Sequence, residues 1–183
     1  MGNRKGGFTL IELILSMAIM SILVLCIYSI LNFTTNACKI GEEKDEIMLN
    51  GQYAIEYIKE EIREAEKIIS IDYFSDLKRD YEDNIGFIIM RYFPKSPEKY
   101  NYSTYYLKNN RIYRLARNTN LDSFPKASSF SGHNLLAENV ESIEETSINY
   151  ENNTIDLNFL LKGEFGEIKE FKTSIFVRCP IMH

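Results

Sequence analysis

The chain has 183 residues, 45% hydrophobic and 26% charged, with a formal net charge of −5 at pH 7. This length fits one ordinary domain with an extension and excludes a large multidomain assembly. The acidic balance gives no reason to expect nucleic acid as the main partner. The cysteines, Cys26, Cys38 and Cys179, show no paired spacing, which predicts neither a zinc site nor a disulfide framework. A single Cys38–Cys179 bridge is the open alternative.

The first predicted element is an apolar helix that follows a short basic leader. Residues 8–33 carry one formal charge, Glu12, among mainly Ile, Leu, Met, Val and Ala side chains. Because about 20 apolar helical residues cross the hydrocarbon core of a bilayer, this run is long enough to span one. Arg4 and Lys5 precede it and a mainly acidic cluster at 42–46 follows it, which predicts a single pass with the N-terminus in the cytoplasm.

Two simpler membrane-targeting segments share this pattern. A secretory signal peptide has an apolar core of roughly 7–15 residues and a small-residue cleavage site, whereas this run is longer and residues 29–41 contain no such site. Hydropathy alone does not exclude a plain signal anchor. Glu12 argues against a signal anchor. Inserting a carboxylate deep in a bilayer costs about 2.5–3.5 kcal/mol of free energy, and less near a helix end, so such a residue usually has a binding partner or a function.

The sequence Gly-Gly-Phe-Thr-Leu-Ile-Glu-Leu at residues 6–13, with the leader before it, resembles the class III signal of type IV prepilins and type II secretion pseudopilins. The resemblance implies that a prepilin peptidase cleaves between Gly7 and Phe8 and methylates the new amine of Phe8. It also implies that Glu12 neutralises the N-terminal amine of a neighbouring subunit during filament assembly. Many major pilins carry a proline partway along this helix, whereas residues 8–33 contain none.

The chemistry of Gly7, Phe8 and Glu12 is consistent with these roles independently of the resemblance. Gly7 leaves the scissile bond unshielded, and cleavage on the cytoplasmic side keeps the apolar helix on the mature chain. The new cationic amine at Phe8 would lie one helical turn from Glu12, in a medium of low dielectric where opposite charges attract strongly.

Residues 34–69 are predicted to continue the helix in amphipathic form. Apolar residues recur at spacings of three and four, interrupted at Lys44 and Gly51, while the opposite face carries Glu, Lys and Arg. The apolar stripe therefore requires a partner surface, which the rest of the chain supplies.

From Ile71 onward the hydrophobic period changes toward two, which predicts an antiparallel β head. The Asn109-Asn110 pair is typical of a tight hairpin turn. Strands are predicted at 85–93, 102–107, 111–115, 143–150, 155–161 and 171–177, with a turn at 163–166 and a mobile loop at 118–134.

The whole chain is predicted to have an α+β, pilin-like fold in four segments. These are a leader at 1–7, a transmembrane and filament-core helix at 8–33, an amphipathic continuation at 34–69 and the β head at 70–183. The order of helix and strands resembles J-type minor pseudopilins and PilW-like or ComGF-like minor pilins.

The sequence shows no constellation typical of an enzyme, so we expect no catalytic residues, no cofactor and no metal. His133 and His183 lack acid–base partners nearby in sequence, and nucleophile motifs and phosphate loops are absent. The acidic residues at 76–83 lack the spacing and glycine of a calcium-binding loop.

Residues 91–117 are basic and rich in tyrosine, a combination that can bind single-stranded nucleic acid by charge and stacking. The candidate residues are Arg111, Arg114, Arg117, Tyr105 and Tyr106. In the alternative interpretation, the tyrosines pack on one face of the strands, while the Lys and Arg side chains lie on the solvent-exposed face and pair with the acidic helix.

The function expected from the resemblance is that of a minor pilin or pseudopilin in a type IV pilus or type II secretion-like filament. It would sit in the cytoplasmic (inner) membrane and then enter an extracytoplasmic filament or its initiating tip complex. Partners implied are other pilin or pseudopilin subunits, prepilin peptidase, an assembly platform protein and its ATPase. The alternative function is a DNA-uptake (competence) or surface-adhesion subunit that uses residues 91–117.

Overall fold

The computed structural model describes residue 7, residues 9–121 and residues 124–182. The chain divides into two compact units, Met1–Glu42 and Glu43–His183. One helix, α1 (Leu10–Arg63), contributes residues to both.

In the first unit, residues 13–33 of α1 are apolar around most of the helix circumference. All described residues of this unit are exposed, including Leu10 at 78% and Phe33 at 75%. The helix contains a stretch with a mean hydropathy of 2.7, long and apolar enough to cross a membrane. A helix that is hydrophobic all round requires either lipid or a surrounding protein core, so this part needs a partner environment outside its own unit.

In the second unit, α1 is amphipathic. Its buried residues follow helical spacing and include one carboxylate: Ile47, Gly51, Ala54, Ile55, Ile58, Glu61 and Ile62.

The helix ends at Arg63, so its predicted continuation to residue 69 is wrong. Residues 67–70 instead form β1 (Lys67–Ser70). Ile68 and Ile69 point into different hydrophobic clusters, as successive strand residues do. The adjacent isoleucines fit a helical stripe as well as a strand, and pairing with neighbouring strands decides between them.

The larger sheet, sheet A, has six strands. Besides β1, these are β2 (Phe87–Tyr92), β3 (Tyr100–Lys108), β4 (Arg111–Thr119), β5 (Gly132–Ala137) and β10 (Ile181–Met182). Their order is β10-β1-β2-β3-β4-β5, antiparallel except for the β1–β10 pair. Asn109 and Asn110 connect β3 to β4 with φ values of 51° and 58°, as expected for a tight hairpin.

The smaller sheet, sheet B, is built around β8 (Thr154–Lys162). On one edge β8 pairs with the short strands β6 (Val140–Ser142) and β7 (Ser147–Asn149). On the other edge it pairs along its whole length with β9 (Ile168–Phe176). The predicted turn at 163–166 connects β8 and β9, with Gly166 at φ 84°.

The predicted loop at 118–134 is shorter in the structure, because β4 runs to Thr119 and β5 begins at Gly132. Residues 122 and 123 lie outside the described residues. Between them and β5, Ala127 and Phe130 are 8% and 5% exposed and belong to a hydrophobic cluster. Apolar anchors among the polar residues therefore fix part of this segment.

Hydrophobic clusters cover both faces of sheet A. One cluster joins the sheet to residues 47–62 of α1 and to sheet B, and contains Phe87, Ile89 and Phe159. The other lies beneath a short helix, α2 (Ser75–Asp80), and contains Ile88 and Met90. Because both faces of β2 are buried, its sequence is a nearly continuous run of apolar residues.

Candidate functional site

The described N-terminus of α1 is a reciprocal cap formed by Thr9 and Glu12. The Glu12 backbone N–H donates to Thr9 Oγ1 at 3.3 Å, while the Thr9 N–H and hydroxyl donate to Glu12 Oε2 at 2.8 Å each. This is a capping box, which satisfies backbone N–H groups that a helix start leaves unpaired. The Thr-x-x-Glu spacing is visible in the sequence, where Glu12 was predicted to pair with an N-terminal amine but not to cap the helix.

The capping box leaves part of Glu12 available. Both bonds from Thr9 use Oε2, and no described residue donates to Oε1. Gly7 is exposed, and a Cβ added there would meet no atom within 4 Å. Phe8 lies outside the described residues, so its cleavage, its methylation and its pairing with Glu12 stay predictions.

Two serine hydroxyls within the apolar part of α1 donate to carbonyls of the helix itself. Ser16 donates to the Leu13 carbonyl and Ser21 to the Ala18 carbonyl, each at 2.8 Å. These bonds remove the need for water as a partner, which a bilayer core would not supply. Ser16 and Ser21 are therefore compatible with lipid.

A second carboxylate of α1, Glu61, is buried against sheet A with 4% of its side chain exposed. Arg114 donates to Glu61 Oε1 through Nε at 3.0 Å and Nη2 at 2.7 Å, and Arg91 Nη2 lies 2.6 Å from the same oxygen. The hydroxyls of Ser103 and Tyr105 donate to Oε2 at 2.8 and 2.5 Å. We call these five residues the Glu61 cluster. It joins the helix to β2, β3 and β4.

The electrostatics of the Glu61 cluster keep its ion pairs charged. Burial alone would raise the pKa of Glu61, but hydrogen bonds and charge from Arg114, with Tyr105 and Arg91, hold that pKa below its ordinary value. Burial and the neighbouring Glu61 raise the pKa of Tyr105 well above that of a free tyrosine. Glu61 is therefore an anion and Tyr105 a neutral hydrogen-bond donor near neutral pH.

A sequence signal for Glu61 did exist. It lies three residues after Ile58 and seven after Ala54, which places it within the buried stripe of α1 rather than on the charged face. A carboxylate at such a position needs buried cationic or hydroxyl partners, and the basic, tyrosine-rich region at 91–117 supplies them.

The residues predicted to bind nucleic acid do not form one surface. Their cross-strand pairs place Tyr105 with Arg114, Tyr106 with Tyr113 and Tyr102 with Arg117. Because neighbouring residues of a strand face opposite sides, Tyr105 and Arg114 lie on one face of sheet A, whereas Tyr106, Arg111 and Arg117 lie on the other. Tyrosines and cations consequently occur together on each face, unlike in the alternative interpretation.

Each of these candidate residues is engaged within the head. Tyr105 and Arg114 bind Glu61, as described above. Arg111 pairs with Glu138 at 2.9 Å, and Arg117 donates to the Ser129 carbonyl at 3.0 Å. The Tyr106 side chain is 7% exposed, and its hydroxyl lies 3.0 Å from His133 Nδ1. The structure therefore assigns these side chains contacts within the fold.

Two other sequence features have a plain structural placement. Cys26, Cys38 and Cys179 are free thiols. Arg79 lies 3.9 Å from Asp76 and 3.1 Å from Asp80, so these two carboxylates have a cationic neighbour. Within the described ranges, no group of three His, Cys, Asp or Glu side chains is arranged to hold a metal ion.

Comparison with known proteins identifies the N-terminal segment. A family model for the prokaryotic N-terminal methylation motif matches residues 2–27, which include the leader from its second residue, the capping box and most of the apolar run. The comparisons with curated proteins and with solved structures each find no match. The chain thus carries a prepilin-type methylation motif on a long apolar helix, followed by an α+β head, and these features together support a membrane-anchored protein of the type IV pilin-like or pseudopilin-like kind.

Proposed function

We propose that this protein is a structural subunit, a minor pilin or pseudopilin, of a type IV pilus or a type II secretion-like filament. The observation that carries the proposal is the continuity of the methylation motif at 2–27 with a helix whose apolar residues are exposed. Such a surface requires lipid before assembly and the helices of other subunits afterwards.

The proposed maturation uses the start of α1. The chain inserts into the cytoplasmic (inner) membrane with its N-terminus inside, prepilin peptidase cleaves between Gly7 and Phe8, and the amine of Phe8 is methylated. Thr9 then remains as the helix cap and keeps Glu12 Oε2 occupied. Glu12 Oε1 accepts the cationic amine of a neighbouring subunit, which neutralises both charges in a medium of low dielectric.

The proposed partners follow from this role. They are other pilin or pseudopilin subunits, prepilin peptidase, an assembly platform protein and its ATPase. We place the protein among minor subunits, in the initiating tip complex, on the resemblance of its sequence to J-type, PilW-like and ComGF-like proteins. We propose a mechanical role without catalysis.

The test is mass spectrometry of the full chain extracted from membranes of cells with active prepilin peptidase. We expect a chain that begins at a methylated Phe8, and a chain that still begins with an unmethylated Met1 would contradict the proposal. In the same cells, Glu12→Ala should be inserted and processed but should enter filaments poorly. Ser16→Ala, in the same apolar run, is the matched control and should assemble normally.

The alternative role, as a DNA-uptake or surface-adhesion subunit, stays a prediction from the sequence. Its candidate residues are divided between two faces of sheet A and bind partners within the head. No observation in the structure favours it over the structural role.

A further inference from the structure

Sheet B has an open edge along β9. This strand pairs with β8 on one side over nine residues, and no described strand pairs with its other side. An unpaired edge presents a row of N–H and C=O groups that can bind another extended chain.

The hydrogen-bond register shows which groups of β9 face outward. Gly163 N–H donates to the Glu167 carbonyl and Val177 N–H donates to the Asn153 carbonyl, each at 2.8 Å. Because bonded and non-bonded pairs alternate in an antiparallel ladder, odd-numbered residues of β9 bind β8. The outward-facing backbone groups consequently belong to Ile168, Glu170, Lys172, Ser174 and Phe176.

A groove accompanies this edge, between β9 and the second half of α1. Three cavities lie along this groove. Their volumes are ≈ 180, ≈ 360 and ≈ 350 Å³, from the N-terminal to the C-terminal end of this part of α1. On the helix side the cavities are lined by apolar residues and by a similar number of charged or polar ones: Ile47, Met48, Ile55, Ile62 and Ala65, with Lys44, Asp45, Gln52, Glu56, Lys59 and Arg63.

Gly51 makes this close approach of strand and helix possible. A Cβ at Gly51 would overlap the ring of Phe171, which lies directly on the helix backbone. Phe171 and Ile175 thus turn toward α1, while Ile168 and Phe176 stay 55% and 65% exposed. The groove therefore has apolar residues at its base, charged and polar residues of α1 beside them, and an open outer side.

Unpaired cations mark the outer side of the same edge. No described carboxylate forms an ion pair with Lys172 or with Arg178, which follows the strand. The one acidic side chain of β9, Glu170, accepts a hydrogen bond from Asn158 at 2.8 Å. Two β9 strands centred on each other would place Lys172 opposite Lys172, which disfavours pairing between copies of this chain.

We propose that the β9 edge binds an extended segment of a different pilin-like subunit, in which apolar residues alternate with Glu or Asp. The segment adds a strand to sheet B, its apolar side chains enter the groove beside α1, and its carboxylates meet Lys172 and Arg178. This inference rests on the proposed function for the identity of the partner. The recognition chemistry depends only on the second unit.

The test uses the full chain in detergent micelles and a nine-residue peptide that alternates Val and Glu, with blocked ends. Amide hydrogen exchange should slow roughly tenfold at Lys172, Ser174 and Phe176 when the peptide is added, because their N–H groups gain acceptors. A peptide with Lys in place of Glu is the charge control. Absence of added protection, or equal protection by the Lys peptide, would overturn the proposal.

A pair of variants separates the backbone contribution from charge. Lys172→Pro removes one outward N–H without removing a bond to β8, and should weaken peptide binding several-fold more than Lys172→Ala. Equal affinities of these two variants would contradict strand addition. The double variant Lys172→Glu with Arg178→Glu keeps every N–H and should reverse the preference toward the Lys peptide, so it tests the proposal even if the proline variant does not fold.

These measurements are made on unprocessed protein. If N-terminal processing fails but the peptide binds, the proposed function is wrong and the binding edge stands. If processing occurs but the peptide does not bind, the edge proposal alone is lost.

Discussion

The two halves of α1 place a glutamate in surroundings that oppose charge, and they satisfy it in different ways. Glu12, in the first unit, is held by the start of its own helix through Thr9. Glu61, in the second unit, is held by donors from β2, β3 and β4, which lie 30 to 53 residues later in the chain. One carboxylate depends on local chain geometry and the other on the tertiary fold.

This difference concerns what each residue does for the protein. Glu12 keeps one oxygen free of described donors, so it can take a partner that arrives from outside the chain. Glu61 has both oxygens occupied by internal donors, so it has no remaining capacity for an external ligand. We infer that the first carboxylate serves assembly and the second fixes the head on its helix.

The largest expected effect comes from removing Glu61. Glu61→Leu leaves Arg91 and Arg114 buried without their main anion, and loss of one partner of a buried pair costs about 3–5 kcal/mol. Denaturant unfolding of the full chain in micelles measures this. The control is Glu60→Leu, whose pair with Arg63 is exposed and worth at most ~1 kcal/mol. Equal losses in both variants would show that the Glu61 cluster does not stabilise the head.

The next effect compares two glycines of α1. Gly51→Ala places a methyl group against the Phe171 ring and should cost roughly 1–3 kcal/mol by overpacking. Gly41→Ala meets no atom within 4 Å and should stabilise the helix by about 1 kcal/mol through its higher propensity. Thermal unfolding of both variants tests the contrast. If Gly51→Ala is as stable as Gly41→Ala, the close packing of β9 on α1 is wrong.

A pH titration isolates the ionic part of the Glu61 contribution. The pKa of Glu61 is lowered in the folded protein, so its stabilisation is fully present above the unfolded value of 4.5 and is lost as pH falls through the folded pKa. The difference in unfolding free energy between wild type and Glu61→Gln should be constant from pH 7 to about 5.5 and shrink below 4.5. A difference that grows on acidification would contradict the assigned direction.

The smallest effect is expected at the helix start. Thr9→Val removes the capping hydroxyl and should cost about 1 kcal/mol, seen as faster amide exchange in the first turn of α1. Thr9→Ser keeps the hydroxyl and should behave like the wild type. Thr34→Val, an exposed position within the same helix, is the matched control and should leave the first turn unchanged. Unchanged exchange in Thr9→Val would show that the capping box contributes little.

Much of the fold was predictable because its signals are local. The hairpin at Asn109-Asn110, the strands at 155–161 and 171–177, and the turn at 163–166 each depend on residues close in sequence. The helix end was misplaced because Ile68 and Ile69 fit both periods, and strand pairing across the fold decided between them. The first three residues of β5, at 132–134, were predicted as loop, because the apolar anchors that precede them, Ala127 and Phe130, are recognisable only from their packing with residues of β4 and α2.

The functional residues likewise include some that are recognisable from a local motif and others that depend on contacts far apart in sequence. Residues 6–13 contain the predicted cleavage position, the predicted methylation site and Glu12 within one short window, and the family model matches the segment that contains them. The role of Arg114 and Tyr105 could not be assigned in this way. Their partner, Glu61, lies 53 and 44 residues away in the chain.

The sequence alone therefore determined that this chain has a helix long and apolar enough to cross a membrane, a prepilin-type start and an α+β head. Composition, period and motif carry those properties over short distances along the chain. Only the tertiary structure decided that the basic, tyrosine-rich strands turn inward to Glu61 and that β9 presents an open edge beside α1. Burial and strand pairing depend on contacts between residues far apart in sequence, and hydrophobic pattern alone does not specify which strands become neighbours.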